Sequence, residues 1–147
     1  TAHISDLSVD TVKIADQAVT IPTSSYTSGT TSAIYTSFVT LGTITFTSTG
    51  NPVLINASAY FQNFASNQGA SYYLRLYRGT SVLLVEHILQ IGAVDISPGS
   101  GTNGSISYLD TVNYTGERTY TIKAARHRGN GWIKASSRSI SALEVKK

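Results

Sequence analysis

Residues Tyr114 to Val145 read YTGERTYTIKAARHRGNGWIKASSRSISALEV, and this stretch decides the fold class. Between Gly116 and the cluster Gly129, Asn130, Gly131 runs an alternation, Thr119 to Ala125. Tyr120, Ile122 and Ala124 share one of its faces, and Thr121 and Lys123 the other. Side chains change face at every residue of a strand, so this is a strand buried on one side. After the glycine turn a second run goes from Trp132 through Ala135 to Ile140, Ala142, Leu143 and Val145. The pair reads as two antiparallel strands joined by a tight, basic loop. A last strand that carries Leu143 and Val145 is expected in the middle of a sheet rather than as a frayed tail.

Upstream, strands come in quick succession. Tyr35 to Thr47, with Phe38, Leu41, Ile44 and Phe46, reads as two strands broken near Gly42, and Gly50, Asn51 and Pro52 as the next turn. Val53 to Phe61 alternates most cleanly: Val53, Ile55, Ala57, Ala59 and Phe61 face one way, Asn56, Ser58 and Gln62 the other. Beyond a polar loop, Ala65 to Ala70, the run Ser71 to Arg78 sets Tyr72, Leu74 and Leu76 against Tyr73, Arg75 and Tyr77. A turn at Arg78 to Ser81 leads into its partner, Val82 to Ile91.

That partner is apolar on both sides, with Leu83, Val85, His87, Leu89 and Ile91 on one face and Val82, Leu84 and Ile88 on the other. Both faces want burial. One belongs to the core and the other suits a subunit interface, which makes Val82, Leu84, His87 and Ile88 the candidate interface residues. A glycine-rich loop, Ser97 to Gly104, precedes the strand Ser105 to Val112. The total is about eight short strands at sandwich spacing, an all-β reading.

Composition agrees. The 147 residues suit one domain with a real core, 39 of them are Ser or Thr, and no stretch shows apolar residues at helical spacing. Cysteine is absent, which excludes a disulfide framework and thiolate chemistry. Methionine is absent even at position 1, so a fragment or processed product of a longer polypeptide is expected. No apolar run approaches a membrane span, and no membrane insertion is expected. The net charge of +3 is uneven: from Thr111 onward eight basic residues face two acids. A basic end attracts nucleic acid or an anionic cell surface. Poor aromatic interleaving favours a solvated strand face over nucleic acid.

Residues 1–22, TAHISDLSVDTVKIADQAVTIP, differ from the rest. Leu7, Ile14 and Ile21 recur every seven residues and Val12 and Val19 precede the latter pair by two, a repeated V-x-I unit whose intervals do not fit a coiled coil. This is an extended repeat that needs copies of itself to cover its apolar side. Thr23 to Ser32, eight of whose ten residues are Ser or Thr, reads as a linker or as an edge segment against the sandwich, leaving 33–147 as the sandwich domain.

The run from Asn113 to Val145 resembles the C-terminal half of the small jelly rolls of tumour-necrosis-factor and complement-head type found at bacteriophage tail-fibre tips. The turn at Gly116 leads into Thr119, Tyr120 and Thr121, and Ser141, Ala142 and Leu143 close the domain. The N-terminal DLSVDTVKIADQAVT is similar to the repeats before such tips in the central fibre, the host-specificity protein J family of tailed phages. The resemblance implies a trimeric jelly-roll β-sandwich on a short extended stalk, at the tail tip of a virion. Its partners would be two further copies, the rest of the tail fibre and a bacterial surface receptor, glycan or outer-membrane protein. The alternative is a structural trimerisation or capping domain with no receptor contact.

Catalysis has little to stand on, since a glycan-cleaving site needs paired carboxylates and the eight acids are scattered, with only Asp95 and Asp110 near strand ends. No enzyme activity is expected. Three copies of His87 on a threefold axis would suit a cation, but a hydrogen-bonded interface histidine without metal is favoured, and no metal or cofactor is expected. Gly99, Gly101 and Gly104 spell G-x-G-x-x-G without a following helix, which leaves a flexible loop rather than a phosphate cradle. The binding candidates are loops. Arg126, His127, Arg128, Asn130 and Trp132 gather guanidinium groups, an amide and the only indole around one turn, suited to stacking on sugars and pairing with phosphate or carboxylate. A turn whose Trp132 packs inward and whose arginines are solvated is the competing reading. Asn63, Asn67 and Gln68 offer amides that read hydroxyls.

Overall fold

The computed structural model describes residues 22–64, 69–91 and 101–145. The strands are β1 Thr23–Thr27, β2 Val39–Thr49, β3 Val53–Asn63, β4 Ala70–Arg78, β5 Val82–Ile91, β6 Gly101–Asp110, β7 Thr115–Gly129 and β8 Ile133–Glu144. They pair as nested antiparallel ladders, β1 with β8, β2 with β7, β3 with β6 and β4 with β5. Lateral pairing of β3 with β8 and of β4 with β7 then gathers them into two four-stranded sheets, β1-β8-β3-β6 and β2-β7-β4-β5. A long hairpin rolled up in this way is a jelly roll.

Period-two patterning decides what lies between the sheets. Ile55, Phe61, Ile133 and Ile140 from one sheet meet Tyr72, Leu74, Leu76, Tyr120 and Ile122 from the other, all fully buried or nearly so. Burying such a side chain contributes about 1.5–3 kcal/mol, which makes this seam the main source of stability. β8 lies inside its sheet, between β1 and β3, as its apolar content demanded.

Four expectations are corrected. β7 and β8 are not a hairpin: the turn between them crosses from one sheet to the other, because their apolar faces address the same core from opposite sides. Tyr35 to Thr47 is not two strands, since β2 runs unbroken past Gly42 and absorbs the irregularity as a bulge between Thr40 and Gly42. Thr23 to Thr27 takes the edge-segment reading rather than the linker one, pairing with β8, which moves the boundary of the sandwich from residue 33 to include Thr23. The glycine-rich loop ends earlier than expected, because Gly101 to Gly104 already belong to β6 and pair with β3. The 1–21 repeat, Asp95 and Gly99 lie outside the described residues.

The faces of β5 also differ from simple alternation. Its register against β4 shifts so that Leu76 opposes Val85 but Tyr77 opposes Leu83, which puts Leu83 on the outer side with Tyr77 and leaves Leu84 as the bulged residue. Leu84 packs against its own core. Val82 and Ile88 remain 50% exposed and Leu83 46%. His87, exposed, lies 3.0 Å by its Nδ1 from the Ser105 carbonyl on β6, the edge of the opposite sheet. Within one subunit the four expected interface residues therefore do not share a face.

The registers define two ends. At the proximal end lie the start of β1, the end of β8, and the turns β2–β3, β4–β5 and β6–β7. At the distal end lie the β1–β2 and β7–β8 connections, the end of β3, the start of β4, the end of β5 and the start of β6.

Candidate functional site

Three distal connections meet in a row of aromatic rings. Ile133 is buried, so its neighbours Trp132 and Lys134 turn to the outer side of the β1-β8-β3-β6 sheet, as does Phe64 beside the buried Asn63. Phe64 stacks on Trp132 with ring centroids 5.3 Å apart and 15° between planes, and Tyr35 leans on Trp132 at 6.4 Å. The Phe64 amide donates to the Trp132 carbonyl at 3.1 Å, which pins the row to the backbone. The Lys134 ammonium sits 5.3 Å from the Phe64 centroid and 5.9 Å from that of Trp132, within cation–π range.

Around the β7–β8 turn, on the outer side of the other sheet, His127 packs on Tyr73 at 4.5 Å and its Nδ1 lies 3.2 Å from the Ser71 hydroxyl. Tyr73 stacks on Phe38, and the Arg75 guanidinium, ion-paired with Glu86, lies 4.4 and 4.5 Å from the Phe38 and Tyr73 centroids. Next to His127 is an open recess of about 330 Å³ whose lining includes Ser71, Gln90, Ile91 and the exposed Arg128. Its shape depends on Gly129, which holds φ +85° and whose absent Cβ would run into the Gly69 carbonyl.

The structure thus separates the residues that the turn motif grouped together. Arg128 and Asn130 are exposed, His127 half-buried on one outer face and Trp132 half-buried on the other. Arg126 opposes Tyr72 in the ladder, which directs it inward at the mouth of the core, where its guanidinium donates to the Gly131 carbonyl at 3.2 Å. Among the described residues the buried Tyr72 hydroxyl has no hydrogen-bond partner; burial pushes its pKa up to about 12, against the opposing pull of the Arg126 charge. Asn63 is 6% exposed and faces the interior, which corrects its assignment as a surface amide; Asn67 and Gln68 lie outside the described residues. Sequence reading missed Tyr35, Phe64, Lys134 and Ser71. For Phe64 a signal existed: it breaks the parity of Phe61 and Asn63 and so had to face outward.

Charge is distributed by end. Among the described residues, the acids Asp110, Glu117 and Glu144 lie at the proximal end, and Glu86 is occupied by Arg75 along β5. The distal end carries Arg126, Arg128 and Lys134 with no described carboxylate beside them. At the proximal end Arg78 grips Asp110 bidentately at 2.7 and 2.6 Å, and the Tyr120 hydroxyl donates to the same carboxylate at 2.9 Å. Among the described residues no group of three or more His, Asp or Glu is placed to hold a metal ion.

No protein-family model matches the chain, and no curated protein matches it. Among solved structures it is similar to chains from infectious bursal disease virus. The VP2 subviral particle aligns with TM-score 0.52 and 10% identity over 87% of this chain and 33% of that one. The Gx strain gives 0.52 and 9% over 86% and 32%, and the Gt strain 0.52 and 8% over 87% and 34%. This chain spans about a third of the length of those chains. At such identity the likeness is one of fold.

Proposed function

We propose that this jelly roll is the receptor-binding tip of a virion fibre, a non-enzymatic homotrimer that attaches to a bacterial surface through its distal end. One observation carries the reading: a row of packed rings, Tyr35, Trp132 and Phe64, with the Lys134 ammonium over it, lies at the end opposite the one where β1 begins and β8 finishes. A domain held by its proximal end presents such a cluster outward. The fold it shares with a subviral-particle protein supports a virion component. The half-exposed Val82, Leu83 and Ile88 on an edge strand support burial against further copies. Against catalysis, the buried carboxylates Asp110 and Glu144 are both fully engaged, one by Arg78 and Tyr120, the other by Ser48, Thr49 and Asn51.

The test is adsorption of the purified chain to a panel of bacterial strains with different surface glycans and outer-membrane proteins. Strain-selective binding is expected, reduced about tenfold by Trp132→Ala, in keeping with the energetic weight of a buried aromatic contact. The second reading, a trimerisation or capping domain, is favoured by the apolar β5 edge alone. It prevails if a folded trimer binds no strain selectively; selective binding that Trp132→Ala and Arg128→Ala both leave unchanged would instead move the contact away from this turn.

A further inference from the structure

We infer that the distal end recognises an acidic saccharide, a sugar chain bearing carboxylate or phosphate, laid over the β7–β8 turn between the Trp132 row and the Arg128 recess. The inference rests on attachment through this end and narrows it to a ligand class. Two independent features meet there. The first is shape and surface: the half-buried Trp132 and Phe64 and the exposed Tyr35 give a firm apolar strip of the kind sugar C–H faces pack on, and a turn away lies the recess of about 330 Å³, near the lower bound for small-ligand sites. The Ser71 hydroxyl and the Gln90 side chain, both in the recess lining, supply the donor and acceptor pairs that hydroxyl-rich ligands need.

The second feature is charge. Arg128 makes no ion pair among the described residues, and Lys134 is held over aromatic rings rather than by a carboxylate. Cations left without counter-charges at one end of a sandwich, while the described acids sit elsewhere, produce a local field that collects anions. A neutral glycan would leave Arg128 and Lys134 unused.

Trp132 is the only tryptophan, so its emission reports the site directly. The full chain is titrated with oligomeric polysialic acid, with a phosphomannan oligosaccharide, with dextran and with oligothymidylate. Saturating emission changes are expected with at least one of the two acidic chains and not with dextran, weakening as salt rises. Arg128→Gln and Lys134→Gln, partly or fully exposed changes checked by an unaltered melting temperature, should each weaken the response about tenfold, the size of one charge-assisted hydrogen bond. A response to dextran of equal strength, or an acidic-chain response untouched by Arg128→Gln, overturns the inference. So does oligothymidylate binding as tight as the acidic saccharides. Silence with every saccharide in a chain that still adsorbs selectively to bacteria overturns the ligand class and leaves attachment standing; silence in a chain that adsorbs to nothing overturns both.

Discussion

Glu144 shows how one residue closes the proximal end. Its carboxylate accepts from the Ser48 hydroxyl at 2.7 Å, the Thr49 amide at 2.9 Å, the Thr49 hydroxyl at 3.0 Å and the Asn51 amide at 3.1 Å, so it caps the β2–β3 turn without a cation. Burial alone would raise its pKa, but the bonds from Ser48, Thr49 and Asn51 outweigh it and hold the group below the ordinary carboxylate range. Asp110 behaves alike, with burial opposed and overcome by Arg78, the Val112 amide and Tyr120. A carboxylate whose folded pKa is depressed stabilises the fold above its unfolded pKa, and that contribution disappears as pH falls through the lowered folded value. The melting temperature should therefore hold down to the ordinary values, 4.5 for Glu144 and 3.8 for Asp110, and drop as the pH goes lower. Glu144→Gln should cost about 1–3 kcal/mol at neutral pH and flatten that acid limb; an unchanged acid limb in calorimetry refutes the assignment. None of this was legible beforehand, because Ser48 and Glu144 stand 96 residues apart and a sequence does not say which hydroxyl meets which acid.

At the level of strands, the alternation of β3 and β4 was legible because each buries mainly one face, that of β7 from its residues although Thr121 and Ala125 on its other face are buried too, and β8 was legible as a central strand by its apolar content. What alternation cannot carry is which sheet a strand joins: β7 and β8 show the same period whether they form a hairpin or face each other across the core. Bulges were equally hidden. Arg138 binds the carbonyl of Leu41, the bulged residue of β2, at 3.3 Å and that of Gly29 at 3.0 Å, next to Ser137 at φ +46° on β8. Gly104 misled in the other direction. Read as part of a flexible loop, it pairs with Ala59 inside β6, and a Cβ there would lie 2.6 Å from Leu89 Cδ1, 2.9 Å from Phe61 Cε2 and 3.1 Å from Leu74 Cδ2. Gly104→Ala is expected to destabilise the fold by about 1–3 kcal/mol through overpacking, seen as a lower denaturation midpoint with an unchanged m-value. A neutral effect would mean that the core beside β5 and β6 is looser than its burial indicates.

For the molecule as a whole, the all-β class was legible from composition and period, and the jelly roll came from family resemblance, since the nesting of the strands is written in contacts rather than in residues. The candidate site was half legible: the β7–β8 turn stood out by its residues, but the rings that pack on Trp132 came from connections far away in the chain. The apolar edge bears on assembly. Light scattering is expected to give three times the chain mass of 15.7 kDa, and Ile88→Glu, at a position half-exposed in the lone subunit, should lower that mass without lowering secondary-structure content. A mass of 15.7 kDa for the unaltered chain would end the trimer proposal.

The outermost ladder of the roll sets Thr23 against Ala142. During synthesis β1 must wait, with its hydrogen-bonding groups unpaired, until β8, the partner that Thr23 meets at Ala142, has left the ribosome. Folding of the sandwich is therefore a late event, expected in the millisecond-to-second range of sandwiches rich in distant pairings, and a ribosome stalled before β8 would hold a nascent chain in which β1 lacks its partner strand.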